Sequence, residues 1–209
     1  MRPPNRALKI GGLVLAAGAG RRMGTNKMRL RLGDESLLRR ATRMAIAGGL
    51  SPVVVVLGHE AEGALGELVD LPCETVFNPD FAGPTSGSLH LGLQRLPLEV
   101  DAAVVLLGDM VFTTAEMVRS LGETALRTAA PLVVSRYGDV NAPPLLFRRA
   151  LFPELLAWTG EGCGKAVVQQ HRGEAVYLDW PPAALTDVDT PEDFVRARKI
   201  IEGSASIDD

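Results

Sequence analysis

The sequence predicts an α/β fold in which a mostly parallel sheet is covered by helices on both faces. Short runs made almost wholly of apolar residues alternate with amphipathic segments, which is typical of strands buried on both sides. The 209 residues are enough for one domain with a sizeable core, and 46% hydrophobic against 22% charged residues is a globular composition. We therefore expect a single domain with two halves, at about 8–130 and about 131–202, followed by a tail at 203–209.

The first half contains four predicted strands, at 10–17, 53–57, 73–77 and 102–107. Each of them ends at a glycine or an asparagine, which are residues that favour turns. Helices are predicted at 36–49, at 60–69, in a segment ending at 94, and at 113–127. We expect Asp34 to cap the first helix and Thr113 the last, and Arg39, Arg40 and Arg43 to form a solvated face.

The second half has a different pattern of shorter elements. Strands are predicted at 132–135, 144–147 and 175–178, a helix at 148–158, and a flexible loop at 160–165. Pro191 suits the first turn of a closing helix, where its missing N–H is not needed. We expect this half to cover the same edge of the sheet as the first half and not to form a separate domain.

The composition excludes several classes of protein. A formal net charge of −3 gives no basic surface for nucleic acid, and no apolar run approaches the roughly 20 residues of a membrane span. Only Cys73 and Cys163 are present, too few for a disulfide scaffold. The first residues are polar and are not followed by the apolar core of a signal peptide. We expect a cytoplasmic protein that binds neither nucleic acid nor membrane.

The first predicted strand ends in a loop that combines three glycines with three cations. Glycines at 18, 20 and 24 would let backbone N–H groups approach an anion, and Arg21, Arg22 and Lys27 add positive charge. The loop is neither a P-loop, since Met28 follows the lysine, nor a dinucleotide fingerprint, since its third glycine comes one residue too late. It is therefore predicted to bind phosphates, the alternative being an ordinary strand-to-helix turn.

Residues that could contact a ligand follow three of the predicted strands at one edge of the sheet. Gly18, Asn78 and Asp109 each come just past a strand end, and ligands of such sheets bind beyond the carboxyl ends of the strands. A carboxylate there suits Mg²⁺, which binds one or two carboxylates together with substrate phosphates. Asp109 could instead be a simple turn residue. Asp187 and Asp189 could bind metal, or this segment could only cap the closing helix, through Thr190 or Asp189.

Several of these segments together resemble one enzyme family. The segment Leu15-Ala-Ala-Gly-Ala-Gly-Arg-Arg-Met-Gly-Thr-Asn-Lys27 resembles the signature loop of nucleotidyltransferases, most of all the molybdopterin cytidylyl- and guanylyltransferases. Leu107-Gly-Asp109 is similar to their metal-binding motif, and 187–193 to their C-terminal acidic segment. Three further segments, at 78–81, 141–155 and 160–164, resemble the family in the same order. The resemblance covers nearly the whole chain.

The resemblance implies a Rossmann-like three-layer α/β/α fold of the glycosyltransferase-A type and Mg²⁺-dependent transfer of a nucleotide, with release of pyrophosphate. Arg22, Lys27 and Asp109 would be catalytic, and Asp109 and Asp189 would bind Mg²⁺. The 8–130 half would bind the nucleotide and the 131–202 half the acceptor. The nucleotide-binding residues would be Leu15, Ala16, Ala17, Gly18, Gly20, Arg22, Lys27, Asn78, Ser86 and Gly108. The acceptor-binding residues would be Asn141, Gly162 and Gly164.

The base and the acceptor are less constrained. Cytidylyl members tend to have Ala-Ala-Gly where guanylyl members have Leu-Ala-Gly-Gly, so Ala17 favours CTP over GTP. Molybdopterin is the expected acceptor, with a molybdoenzyme as a partner for the product. Arg31 replaces the proline usual in the family, and 83–88 also departs from its pattern. The alternatives are GTP as donor, a sugar phosphate or alditol phosphate as acceptor, or a module that only binds and delivers a nucleotide or cofactor.

Overall fold

The computed structural model describes residues 8–18, 20, 23 and 26–205, the last four by their backbone. The strands are β1 (Ile10–Ala16), β2 (Arg31–Leu32), β3 (Glu35–Ser36), β4 (Val53–Leu57), β5 (Glu74–Phe77), β6 (Ala102–Leu107), β7 (Leu132–Tyr137), β8 (Val140–Arg148) and β9 (Val176–Trp180). The helices are α1 (Leu37–Ala47), α2 (Ala61–Leu65), α3 (Thr85–Arg95), α4 (Ala115–Arg127), α5 (Phe152–Ala157), α6 (Cys163–Gln170) and α7 (Pro191–Ala205). None of these helices is long and apolar enough to cross a membrane.

The sheet has seven strands in the order β5-β4-β1-β6-β8-β7-β9. Strands β1, β4, β5 and β6 run parallel, with Val14 paired to Val55 on one side and to Leu106 on the other. Strand β8 runs antiparallel to both of its neighbours, and β9 is parallel to β7. The predicted mostly parallel sheet is therefore confirmed, and all the strands that precede the predicted site residues of the first half point the same way.

Helices pack on both faces of the sheet, as predicted. Helices α1 and α4 cover one face, where Leu38 and Leu121 pack into the same cluster as Val55 of β4. Helices α3, α5 and α6 cover the other face, where Leu93 and Leu155 pack with the side chains that point that way. Alternate residues of one strand thus enter two separate cores, so the central strands β1, β4 and β6 carry no polar side chain. The three-layer α/β/α architecture is confirmed.

Both helix caps differ from the prediction by a small shift in position. Ser36, and not Asp34, caps α1, its Oγ accepting a hydrogen bond from Arg39 N at 3.2 Å. Thr114, and not Thr113, caps α4, its Oγ1 accepting from Met117 N at 3.2 Å. Neighbouring polar residues compete for the capping position, and the fold selects the one whose backbone is extended directly before the first turn.

Of the three arginines predicted to form a solvated face of α1, Arg43 is exposed and Arg39 and Arg40 are half-buried, and all three have hydrogen-bond partners. Arg39 forms two hydrogen bonds with Asp70, at 2.6 and 2.7 Å. Arg43 forms two with Glu35, at 2.5 and 2.9 Å, and Arg40 Nε donates to the backbone oxygen of Val111 at 2.9 Å. Their partners lie on other elements, which a helical pattern by itself cannot show.

Two elements of the second half extend into segments predicted as turn or loop. Strand β8 begins at Val140 and forms a hairpin with β7 around Gly138, whose φ of 61° favours glycine. Helix α6 begins at Cys163, inside the segment predicted as a flexible loop. The sequence did not predict this start, because the glycines of the segment disfavour a helix and interrupt the helical pattern of the apolar residues that follow. Pro191 begins α7 as predicted, and that helix continues through 203–205, where the tail was expected to start.

Candidate active site

A cleft of about 430 Å³ opens at the carboxyl ends of β1 and β6. Small-molecule sites are commonly this large. Eight of the residues predicted from the sequence lie on its surface: Leu15, Ala16, Ala17, Gly18, Gly20, Lys27, Asp109 and Asp189. The remaining lining residues are Met28, Phe81, Ala82, Thr85, Ser88 and Leu107. Sequence reasoning placed Phe81 and Leu107 in segments that resemble the family, but it named none of the six as a site residue. The strand ends therefore converge on one cleft, as the parallel sheet predicts.

The loop after β1 is held between its neighbouring strands. Gly108 N donates a hydrogen bond to Leu15 O at 3.0 Å, and His59 N donates to Ala17 O at 3.3 Å. Gly20 has a φ of 58°, a conformation that side chains disfavour. A Cβ on Gly18 would meet no atom of the described residues within 4 Å, so this part of the chain leaves space for a ligand beside the glycine. Arg21 and Arg22 lie outside the described residues.

Asn26 fixes the start of the short helical turn that carries Lys27. Its side chain is buried, with Oδ1 accepting from Met28 N at 3.0 Å and Nδ2 donating to the backbone oxygen of His59 at 2.8 Å. It thereby joins the phosphate-loop segment to the end of β4. Sequence reasoning did not single out Asn26, although an asparagine before a helical turn is a common cap.

Lys27 lies at the centre of the site. Its Nζ donates to Asp109 Oδ2 at 2.6 Å and to Asp189 Oδ1 at 2.8 Å, across 82 and 162 residues of sequence. The side chain of Lys27 is only 10% exposed. Burial by itself would lower the pKa of Lys27, but the attraction of Asp109 and Asp189 outweighs it and raises the pKa overall. The predicted lysine and both predicted metal-binding carboxylates are thus brought into direct contact.

Backbone pairing brings the two acidic segments together. Val188 N donates to Asp109 O at 3.2 Å, and Met110 and Asp187 form an antiparallel bridge. Burial, together with the charges of Asp109 and Asp189, raises the pKa of Asp187. Asp189 lines the cleft and contacts Lys27, whereas Asp187 lies beside this pair. The structure therefore brings Asp189, which the resemblance implies as the second metal-binding residue, into contact with Lys27.

Three of the predicted nucleotide-binding residues lie behind the surface of the cleft. Asn78 is buried and donates from Nδ2 to Ser88 Oγ at 3.0 Å, so it holds a serine that does line the cleft. Ser86 accepts a hydrogen bond from Gly160 N at 3.2 Å. A Cβ on Gly108 would approach the sulfur of Met28 to 2.7 Å, so this position needs glycine for close packing. These residues support the wall of the cleft.

A second cleft of about 300 Å³ is lined by Asn141, Leu145, Lys165, Val168 and Gln169. Within the described part of the chain, the Oδ1 atom of Asn141 is buried and has no hydrogen-bond partner. Gly162, with a φ of 72°, precedes the first turn of α6, and Gly164 faces β8 from inside that helix. Burial and the charges of Asp109 and Asp189 raise the pKa of Asp187, whereas the positive charge of Lys165 lowers it. Lys165 is therefore close enough to these aspartates to interact with Asp187 electrostatically.

A loop after α5 connects this second region to the first cleft. Thr85 donates from its backbone N to Glu161 Oε1 at 3.3 Å and from Oγ1 to Glu161 Oε2 at 2.8 Å. Thr85 lines the first cleft and is the first residue of α3. The loop that carries Gly160 and Gly162 is therefore tied to the wall of the nucleotide-sized cleft.

The donor set fits a divalent cation that arrives with phosphates. Two carboxylate oxygens, of Asp109 and Asp189, already converge on a single positive atom, the ammonium nitrogen of Lys27. The described residues contain no group of three or more histidine, cysteine, aspartate or glutamate side chains arranged to hold a metal. Two carboxylates completed by substrate oxygens is the usual protein environment of Mg²⁺.

The family of the chain follows from a match over most of its length. Residues 12–176 match the family described as MobA-like NTP transferase domain. The chain belongs to the MobA-like NTP transferase domain family. Membership makes it a nucleotidyltransferase, as the signature loop and the acidic motifs imply.

Curated relatives in this and neighbouring families differ in the activities they are named for. The chain is 30% identical to the bifunctional IPC transferase and DIPP synthase of Rubrobacter xylanophilus over 94% of its own length, but spans only 53% of that relative, about half. It is 27% identical to the purine catabolism protein PucB of Bacillus subtilis, over 90% of the chain and 95% of the relative. It is 29% identical to a molybdenum cofactor guanylyltransferase of Cereibacter sphaeroides, over 95% and 100%.

Solved structures resemble the whole domain. The crystal structure of Rv0371c from Mycobacterium tuberculosis H37Rv has a TM-score of 0.83 with 26% identity and covers 93% of this chain and 100% of that chain. A structure of Rv0371c in complex with manganese has a TM-score of 0.77 with 26% identity, over 91% and 98%. The fold of this chain is therefore shared with these two structures.

Proposed function

We propose that this MobA-like NTP transferase domain moves a CMP group from CTP to the phosphate of molybdopterin and releases pyrophosphate, with Mg²⁺ as the metal. The observation that carries the proposal is the contact of Lys27 with Asp109 and Asp189 on the surface of a cleft of about 430 Å³. In this proposal, Lys27 is the cation that neutralises phosphates, and the two aspartates beside it are the carboxylates that hold the metal. A site that only binds a base would need neither.

In the proposed reaction, a phosphate oxygen of the acceptor attacks the α-phosphorus of the nucleotide as the bond to pyrophosphate breaks. The nucleophile is already an anion, so the protein does not have to remove a proton. Asp109 and Asp189 would hold the metal, which when bound offsets negative charge on the phosphates. Lys27, together with Arg22, would neutralise the triphosphate and the leaving pyrophosphate. Catalysis then depends on positioning and charge stabilisation.

The choice of CTP rests on the cleft wall at the end of β1. Ala17 is buried there, and a Cβ on the neighbouring Gly58 would approach Ala17 O to 2.5 Å, so this wall is closely packed. The methyl group of Ala17 leaves less room for the larger edge of a purine. GTP is the second candidate, supported by the 29% identity to the molybdenum cofactor guanylyltransferase of Cereibacter sphaeroides.

The acceptor is proposed to occupy the second cleft, so that the 8–130 half supplies most of the nucleotide site and the 131–202 half most of the acceptor site. Lys165 would attract the phosphate of the acceptor. The buried Oδ1 of Asn141 needs a hydrogen-bond donor, which a ligand with N–H or O–H groups would supply. Asp189 of the second half lines the first cleft, so the two halves would meet at the reacting phosphates.

Release of pyrophosphate tests the proposal. The protein is incubated with Mg²⁺, either CTP or GTP, and either molybdopterin, a sugar phosphate or an alditol phosphate. We expect pyrophosphate with CTP and molybdopterin, and a rate about 100-fold lower for Asp109→Asn. The matched control is Asp34→Asn, an exposed aspartate outside the cleft, which should keep the rate of the unaltered protein.

Other outcomes would redirect the proposal. A higher rate with GTP than with CTP would show that GTP is the donor. A reaction only with a sugar phosphate or an alditol phosphate would show that molybdopterin is not the acceptor. Nucleotide binding without pyrophosphate from any pair would instead indicate a module that delivers its ligand to a partner. Equal rates for Asp109→Asn and the unaltered protein would show that the carboxylate of Asp109 is not needed for the reaction.

A further inference from the structure

The ammonium group of Lys27 occupies the carboxylate oxygens that the proposed metal would need. Its Nζ lies 2.6 Å from Asp109 Oδ2 and 2.8 Å from Asp189 Oδ1, both direct ion-pair contacts. The lysine side chain is 10% exposed, and those of the two aspartates are 19% and 33% exposed. A buried charge of this kind is stable only while it has a partner of opposite sign.

A divalent cation bound to these two oxygens would lie close to the ammonium, because both oxygens are within 2.8 Å of Lys27 Nζ. The cation and the ammonium are both positive, and at contact distance in a half-buried site their repulsion is large. If a metal arrived without an anion, Lys27 would lose both carboxylates and remain as an uncompensated charge. A triphosphate beside Gly18 and Gly20 would supply a new partner for Lys27, since all three residues line the same cleft and no atom of the described residues fills the space beside Gly18.

We propose that Lys27 is an internal counter-ion that makes the binding of metal and of nucleotide depend on each other. The inference rests on the proposed metal and triphosphate site and adds an order to its assembly. The protein alone binds divalent metal weakly, because the ammonium already holds Asp109 and Asp189. Nucleotide phosphates draw Lys27 away and free the carboxylates. Because such coupling is reciprocal, metal strengthens nucleotide binding by the same factor.

Binding of Mn²⁺ to the protein without nucleotide or acceptor tests the inference, with the loss of the free Mn²⁺ signal in electron paramagnetic resonance as the readout. We expect Lys27→Met to bind Mn²⁺ about 10-fold or more tightly than the unaltered protein, within the ordinary range of coupling between sites. Lys199→Met removes the same charge from an exposed position on α7 and should leave Mn²⁺ affinity unchanged. Adding Asp109→Asn to Lys27→Met should abolish the gain.

Lys27→Gln provides a second variant if Lys27→Met does not fold, since its amide can still donate a hydrogen bond to a carboxylate but carries no charge. It should also bind Mn²⁺ more tightly than the unaltered protein. Equal Mn²⁺ affinity in the folded neutral variants and the unaltered protein, with pyrophosphate release intact in the latter, overturns the inference and leaves the proposed function standing. Absence of Mn²⁺ binding from every protein, even with CTP or GTP, overturns both.

Discussion

Replacement of Asn26 by alanine should weaken both the fold and the reaction, because this buried side chain fixes the turn that carries Lys27 although it does not line the cleft. The change removes two hydrogen bonds, at 3.0 Å from Met28 N and at 2.8 Å to His59 O. Each bond contributes about 1 kcal/mol net, and leaving its buried partner unsatisfied costs about 1 kcal/mol more. We therefore expect a loss of about 2–4 kcal/mol in the free energy of unfolding, and a fall in Tm of roughly 5–12 °C for a chain of this size.

The kinetic effect should follow from a displaced lysine. A shift of about 1 Å in a group that positions reacting atoms costs up to about 100-fold in rate, so kcat/KM for the nucleotide should fall by roughly 10- to 100-fold. Asn26→Asp keeps an oxygen for Met28 N but loses the donor to His59 O and buries a carboxylate beside that carbonyl oxygen, so it should be at least as destabilising as alanine.

Thermal unfolding and pyrophosphate release measure the two effects. Asn141→Ala is the matched control for stability, since the Oδ1 of Asn141 is buried without a partner in the described part of the chain, and its removal should lower Tm by less than Asn26→Ala does. A Tm for Asn26→Ala within about 1 °C of the unaltered protein, with unchanged kcat/KM, would refute this account of how Lys27 is positioned.

Three further predictions concern the walls and the surface. Gly108→Ala should cost about 1–3 kcal/mol of unfolding free energy, because its methyl group would press on the methionine sulfur 2.7 Å away; chemical denaturation measures this, and unchanged stability would contradict the packing. Glu161→Ala should raise KM for the nucleotide, because it removes the hydrogen bonds between the loop and Thr85, while Tm stays nearly constant. Equal KM values for this variant and the unaltered protein would show that these bonds have no part in nucleotide binding. Hydrogen bonding to Arg39 lowers the pKa of Asp70 to about 2, below its unfolded value, so the stabilisation is present above about pH 4 and is lost as pH falls towards 2. Urea denaturation should therefore show that Asp70→Asn is less stable than the unaltered protein at pH 7, and the difference in unfolding free energy should be smaller at pH 3. Equal stabilities at pH 7 would show that the ion pair of Arg39 and Asp70 does not stabilise the fold.

Local sequence patterns predicted the central strands and the edge of the sheet at which the site residues lie. The β-branched run of β4 and the apolar run of β6 have the bounds that were predicted, because strands buried on both faces must be apolar throughout. The glycine loop and Asp109 could be placed at one edge because parallel strands all end there. The caps of α1 and α4 were missed by one or two residues, since several polar neighbours could have served.

The sequence by itself thus determined the α/β class, the glycine loop at the end of β1, and the family. Only the tertiary structure decided which groups meet in the cleft. Lys27 reaches Asp109 and Asp189 across 82 and 162 residues, and no local pattern records that Asp189 makes this contact while Asp187 lies beside it. The hydrogen bonds of Asn26 and the partners of the α1 arginines are set in the same way, by elements that become neighbours only when the chain is folded.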